Sequence, residues 1–303
     1  MSAPNRRVWL AALALIVLLG GLGLHLLFDP EPSIPLARLS GPAETLEAAC
    51  VLAPGADGSP EERPASEGGA RLGRIRARIL LGQGVSEEAA SRQLGRLRAY
   101  IEPRGLELEL IEARRLPIRA LLELEGNSLD AALEAQWLDP RGDGGAEREA
   151  TAALLLAPIR AFLEAQAEAS LELERRAPQE PLVQIVLLHR ISGIASIARR
   201  ILPGLRGLAI TSEGALEELP AELRQALEVP ESPPTIFVSM DDLPRAGSGI
   251  LDTTLMHELG HALGLTHVEL PGNLMSADPQ RCLPHLNASQ RASLRSRLEA
   301  SGR

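Results

Sequence analysis

The segment HELGHALGLTH occupies residues 257–267 and holds three of the six histidines in this chain of 303 residues. His257 and His261 are four residues apart, so on a helix their side chains project from the same face. Apolar residues flank them at helical spacing, and Asp252 or Thr253 can cap the helix at its start. The segment therefore predicts a helix that presents two imidazoles side by side.

Gly264 explains how a third histidine can join the first two. Glycine can adopt a positive φ angle and stop a helix, which would turn the chain and return His267 toward His257 and His261. Three protein ligands and an open fourth position are typical of catalytic zinc, whereas structural zinc sites are closed by four ligands. Glu258 would lie beside the metal, where a carboxylate can act as general base. We therefore predict one catalytic Zn²⁺ ion.

The composition excludes several other kinds of site. The net charge of −9 argues against nucleic-acid binding, because phosphates require a basic face. Aromatic residues make up 2% of the chain, too few for base-stacking platforms. The two cysteines exclude a disulfide scaffold and a Cys-rich zinc module. The 45% hydrophobic content is enough for an aliphatic core.

The amino terminus predicts a membrane segment. Arg6 and Arg7 precede residues 8–28, an uncharged apolar run that at about 1.5 Å per residue is long enough to cross a bilayer. A retained transmembrane anchor is favoured over a cleaved signal peptide, because the run is longer than a usual signal core and no small-x-small cleavage site follows it closely. With a retained anchor, we expect a single-pass protein of the cell membrane. With a cleaved signal peptide, we expect a secreted or periplasmic protein. Both place the remainder outside the cytoplasm.

Beyond residue 28 the chain divides into a Pro-rich spacer, residues 29–70, and a domain, residues 71–303. The domain begins with a strand, a helix and a second strand, typical of a βαβ unit, at residues 74–81, 86–101 and 106–112. The first strand alternates charged and apolar residues, which predicts that it is half-buried. Residues 113–178 are rich in Ala, Leu and Glu and predict a helical insertion of unknown role.

Three further strands and a closing helix complete the predicted domain. Apolar runs predict the strands at residues 182–188, 207–211 and 235–240. The last helix is predicted at residues 287–300, where Asn287 can act as its cap. Strands followed by helices at the carboxyl end predict an α/β (α+β) layer architecture.

The pattern HExxHxxGxxH at residues 257–267 resembles the zinc-binding segment of the metzincin metalloproteases, and most of all that of the matrixin branch. These enzymes also carry a methionine beneath the metal, and Met275 follows His267 by eight residues, in the segment Asn273-Leu-Met275-Ser276. The resemblance implies a metzincin-like catalytic domain with a mixed, mostly parallel twisted sheet. It also implies that Met275 forms an apolar floor under the zinc.

The resemblance further implies a zinc endopeptidase whose substrate is a protein or peptide. By analogy with metzincins, the substrate would lie along the strand at residues 207–211, and residues 268–285 would wall the specificity pocket. The segment has departures: Ser276-Ala-Asp278-Pro279 replaces the usual Pro-x-Tyr, and Tyr100 is the only tyrosine. No second His/Asp cluster and no Pro-Arg-Cys-Gly switch is evident in the sequence. Calcium loops are not evident either, which leaves a calcium requirement open.

Cys50 and Cys282 allow two interpretations. Outside the cytoplasm they can pair as a disulfide. Alternatively, the Cys50 thiolate can occupy the open zinc position as a latency switch, because thiolates bind zinc well. Their separation in the sequence does not decide between the two.

The sequence thus predicts a membrane-anchored zinc endopeptidase that uses Glu258 as general base. The alternative, from a different functional class, is a non-proteolytic, zinc-stabilised binding or scaffold protein of the cell envelope. Glu258 argues against this alternative, because a structural zinc site needs no base.

Overall fold

The computed structural model describes part of the chain, which includes the three histidines and the sheet and helices around them. The described residues are 33–41, 72–116, 160, 162–164, 175, 181–189, 206–211, 233–244, 251–276 and 284–301. The predictions that lie outside them concern the apolar run at residues 8–28, Cys50, Cys282, most of the spacer and most of the insertion at residues 113–178. Among the described helices, none has the length and apolar character needed to cross a bilayer.

Five strands and four helices form the described part of the fold. In chain order they are α1 (Leu36–Leu39), β1 (Gly73–Leu81), α2 (Glu87–Ile101), β2 (Leu106–Arg115), β3 (Leu182–Leu188), β4 (Gly207–Ile210), β5 (Thr235–Ser239), α3 (Thr254–Ala262) and α4 (Ala288–Ser301). Each strand and helix predicted in the domain outside the insertion is present, and β2 continues three residues beyond its predicted end at residue 112, to Arg115.

The strands form one mixed sheet in the order β2-β1-β3-β5-β4. The pairs β2/β1, β1/β3 and β3/β5 are parallel, and β4 pairs with β5 in the antiparallel direction at the edge of the sheet. The predicted mixed, mostly parallel sheet is therefore confirmed for the described residues. The strand predicted to receive the substrate, β4, lies at one end of the described strand order.

One face of the sheet carries the main hydrophobic core. Ile79, Ile185 and Ile236 are neighbours across three strands and are fully buried. They belong to one cluster with aliphatic side chains of α2, α3 and α4, so the three helices cover this face. The burial of many such side chains, each contributing about 1.5–3 kcal/mol, stabilises the layer that holds α3 in place.

The opposite face of the sheet is also covered, which corrects one prediction. The alternation of Arg and apolar residues predicted a half-buried β1, but Arg76 and Arg78 are 6% and 3% exposed. The Arg78 guanidinium lies 2.7 Å from the Glu112 carboxylate and donates to Gln184. Strands inside a parallel sheet are buried on both faces, and the paired charge compensates for part of the desolvation.

Part of the Pro-rich segment packs on the domain. Ser33 bridges to Arg114 on β2, and the Ile34 amide donates to the Ala113 carbonyl over 2.8 Å. Leu39 of α1 is fully buried. The packed structure therefore includes residues 33–41, upstream of the predicted domain start at residue 71.

Candidate metal centre

Helix α3, which carries His257 and His261, is fixed at its start by Asp252. The Asp252 carboxylate accepts from the Thr254 amide over 3.3 Å, whereas Thr253 makes no capping bond with its side chain. Thr253 occupies the N-cap position, but of the two predicted caps it is Asp252, one residue earlier, whose side chain satisfies an amide at the start of the helix, as an Asx turn. Its second oxygen accepts from Gln93 over 2.8 Å, which ties α3 to α2. Because this carboxylate is buried, the tie fixes the helix in the layer.

The helix ends at Ala262, just before the predicted glycine. Gly264 has φ +81°, and its amide donates to the His261 carbonyl over 2.7 Å. The Leu265 amide donates to the Gly260 carbonyl over 2.9 Å. These two bonds form the Schellman motif that typically closes a helix at a left-handed glycine. The turn sends the chain back, which allows His267 to reach the other two histidines.

The three histidines converge on one point. The His257 Nε2 atom lies 2.8 Å from His267 Nε2, and His261 Nε2 lies 3.1 Å from each of the other two. The second nitrogen of His257 donates to the Leu274 carbonyl over 2.7 Å. That of His261 donates to the Leu265 carbonyl over 2.9 Å. Because carbonyl oxygens only accept, Nδ1 of both residues carries the proton, and Nε2 presents a lone pair.

The geometry of the triad fits a metal ion. Nitrogens at 2.0–2.1 Å from a tetrahedral zinc ion lie about 3.3 Å apart, close to the separations of His257, His261 and His267. Their nitrogens lie close enough to one another to bind one metal ion, and among the described residues no other group of three His, Cys, Asp or Glu does so. Converging lone pairs repel one another unless a cation lies between them, so the donor set is suited to a metal.

The surroundings keep two of the imidazoles neutral. Burial lowers the pKa of His257 to about 4; the bond to Leu274 opposes this shift, and His267 adds to it. Burial lowers the pKa of His261 to about 3, with further lowering by the other two histidines. A metal binds the neutral form of imidazole, so both ligands are in the binding state at pH 7.

These shifts predict an acid-sensitive metal-free protein. The unfolded histidines take up protons near pH 6.5, whereas folded His257 does so only near pH 4, so the free energy of unfolding falls as the pH drops from about 6.5 to about 4. We expect a loss on the order of 2–3 kcal/mol for each histidine. Urea unfolding of the chelated protein between pH 7 and 4 measures it. A His257→Gln protein should have a shallower pH dependence, and an equal dependence would contradict this assignment.

Glu258 lies beside the edge strand β4. Its side chain is 6% exposed, and a Cβ atom on Gly207 would lie 2.6 Å from its Cγ and 2.8 Å from its Oε1. Glycine at position 207 is therefore what allows the strand to approach the carboxylate this closely. The carboxylate occupies the space between α3 and the edge of the sheet.

Met275 lies under helix α3, which carries His257 and His261. It is fully buried, and a Cβ atom on Gly260 would collide with its sulfur. Gly260 stands between His257 and His261 in α3, so the thioether packs against the helix at the level of these ligands. The Met275 carbonyl accepts from the Val268 amide over 3.0 Å, next to His267.

Tyr100, His189 and His285 have other contacts and are not part of the histidine triad. The Tyr100 hydroxyl is buried and donates to the Pro284 carbonyl, so the only tyrosine of the chain serves packing. His189 lies at the end of β3, where it pairs with Asp241 over 3.3 Å. His285 bonds through its backbone to Gly272 and Leu274. The sequence alone did not indicate Gly207, Gly260 or Gln290 as residues of the site.

The sequence matches no model of a protein family, and a search of curated proteins found no match either. The functional conclusion therefore depends on the residues themselves.

Proposed function

We propose that the protein is a zinc-dependent endopeptidase with a metzincin-like, matrixin-like catalytic domain. One observation carries the proposal: three histidine nitrogens within 3.1 Å of one another, with the Glu258 carboxylate next to β4, the last of the described strands at this end of the sheet. A binding or scaffold site needs the ligands alone. An acidic side chain and a strand edge at the same place supply what peptide hydrolysis needs in addition.

The register of β4 supports a place for the substrate. The Ser239 amide donates to the Arg206 carbonyl over 3.0 Å, so these two residues form a hydrogen-bonded pair. Antiparallel pairing alternates, so the backbone groups of Gly207 and Ala209 point away from β5. No described strand lies beyond β4. An extended peptide can pair with these groups, and next to Gly207 it would lie alongside Glu258.

The residues divide the chemistry among themselves. Bound zinc supplies a charge that polarises the scissile carbonyl and acidifies a water molecule. His257, His261 and His267 would hold the ion through their Nε2 atoms. Glu258 accepts the proton of the attacking water and then passes it to the leaving amine. Gly207 and Ala209 align the peptide, which keeps the scissile bond near the carboxylate.

A methyl group at position 207 should impair cleavage and leave the metal in place. In a Gly207→Ala protein the new Cβ displaces the Glu258 carboxylate, and a misplacement of about 1 Å costs roughly 100-fold in rate. We expect kcat/KM to fall about 10- to 100-fold with unchanged zinc content. Gly73→Ala, which crowds Leu298 at 3.2 Å, is the matched control. Wild-type kcat/KM in Gly207→Ala would show that the carboxylate does not depend on this contact.

The packing of residues 33–41 on the domain supports a position of the catalytic domain close to the membrane. If residues 8–28 are the anchor, only residues 29–32 separate the anchor from Ser33, which contacts β2. Four residues span at most about 14 Å. We therefore propose that substrates are cleaved near the outer surface of the membrane, either as membrane proteins or as proteins held close to it.

A digest of a diverse peptide library tests the proposal. The full-length chain is purified in detergent and incubated with the library, with and without a zinc chelator. We expect cleavage that the chelator abolishes and added zinc restores. One equivalent of bound zinc without any cleavage would instead favour the binding or scaffold protein.

A further inference from the structure

Two buried amide side chains connect the turn at residues 273–276 to helix α4. Asn273 is 0% exposed and Gln290 is 7% exposed. The Asn273 amide donates to Gln290 Oε1 over 2.9 Å, and the Gln290 amide donates to Asn273 Oδ1 over 3.1 Å. Neither residue belongs to the proposed ligand set or to the proposed peptide-binding edge. A fully hydrogen-bonded, buried polar pair of this kind makes the structure around it rigid.

Backbone groups fix the orientation of both amides. The Met275 amide donates to Asn273 Oδ1, and the Asn287 amide donates to Gln290 Oε1, both over 2.9 Å. Backbone N–H groups only donate, so each side chain must present its oxygen there and its NH₂ group to the partner. The backbone N–H of Gln290 donates in turn to Asn287 Oδ1, which completes a capping box at the start of α4. The pair is therefore anchored to the first turn of that helix.

The pair reaches the metal centre through one peptide unit. Asn273 holds the N–H of Met275, and the carbonyl of the same peptide, that of Leu274, accepts from His257 Nδ1 over 2.7 Å. A peptide unit is planar and rigid, so fixing its N–H also fixes its carbonyl. Binding of the N–H also polarises the peptide and strengthens the carbonyl as an acceptor. The His257 ring is thus oriented by contacts that begin in α4.

We propose that Asn273 and Gln290 are positioning residues of the metal centre, which hold the Leu274–Met275 peptide and through it the His257 imidazole. This inference rests on the proposed zinc site and adds to it a dependence on α4. Partners that hold a ligating histidine fix its tautomer and increase its basicity, and their loss typically costs 10- to 100-fold in metal affinity. The pair therefore sets how tightly the centre retains its metal.

Zinc affinity of full-length variants tests this role. The dissociation constant is measured by competition with a chromogenic chelator, for wild type, Gln290→Met, Asn273→Ala and the double variant. We expect affinity to fall about 10- to 100-fold in each single variant, and the double variant to be no weaker than the more severe single one. The visible spectrum of the cobalt-loaded protein should change as well, because the His257 ligand is reoriented.

Asn287→Ala is the matched control. It removes the side-chain cap of α4 and should cost about 1 kcal/mol of stability, but it retains the backbone N–H at position 287 that orients Gln290 and both amide bonds between Asn273 and Gln290. We expect wild-type zinc affinity and an unchanged cobalt spectrum. The inference is overturned if Gln290→Met and Asn273→Ala only lower thermal stability as the control does, or if their effects on affinity are additive. A wild-type protein that binds no zinc would overturn the proposed function together with this inference.

Discussion

A Glu258→Gln protein is expected to keep one zinc ion per chain and to lose peptide cleavage by a factor of about 10² to 10⁴. Glutamine has the shape of glutamate but cannot accept a proton from water. The side chain is 6% exposed and is confined between α3 and Gly207, so the amide should occupy the position of the carboxylate. Zinc content by elemental analysis and kcat/KM on a peptide found in the library digest measure the two effects.

Glu88→Gln is the control for this substitution. Glu88 lies on the surface of α2, where it pairs with Arg92 and is 83% exposed. The same chemical change there should leave both zinc content and kcat/KM at wild-type values, because exposed ion pairs contribute little. If Glu258→Gln cleaves peptides like wild type, Glu258 is not the base. If it loses the zinc ion, the carboxylate serves to retain the metal.

Removal of a ligand should have the second large effect. A His261→Ala protein is expected to lose stoichiometric zinc, measurable cleavage and the stabilisation that zinc gives to wild type. At a zinc concentration of 100 times Kd, that stabilisation is about 2.7 kcal/mol. For a domain of this size it corresponds to an increase in Tm of roughly 5–10 °C. Thermal unfolding with and without zinc measures it.

His189→Ala provides the comparison for the ligand variant. The His189 side chain is 56% exposed and pairs with Asp241. This variant should show the wild-type increase in Tm on addition of zinc. A zinc-dependent increase in Tm that persists in His261→Ala at the wild-type zinc concentration would contradict the assignment of His261 as a ligand.

Local patterns in the sequence predicted the strands and helices of the domain well, because each depends on neighbouring residues. The stop of α3 at Gly264 follows from the conformational freedom of glycine, and the spacing of His257 and His261 follows from the helical period. The prediction of a half-buried β1 was wrong, because the alternation of residues within one strand carries no information about what packs on its second face. Arg78 is buried on that face beside Glu112, which belongs to the neighbouring strand β2.

The histidines that meet in the structure were predictable from their spacing, but the contacts that position them were not. Gly207 and Glu258 come from different elements, as do Asn273 and Gln290. No local signal connects such pairs, because the sheet order and the packing of α4 bring them together. A glycine at the start of a strand is the only sequence feature that could have drawn attention to position 207.

The central claim is that one metal ion in the triad of His257, His261 and His267 makes the protein a peptidase. Titration of the chelated, full-length protein with zinc, with peptide cleavage recorded at each addition, tests it most directly. We predict that cleavage rises in proportion to added zinc and reaches its plateau at one equivalent per chain. Cleavage by the fully chelated protein, or one bound equivalent without cleavage, would contradict the claim.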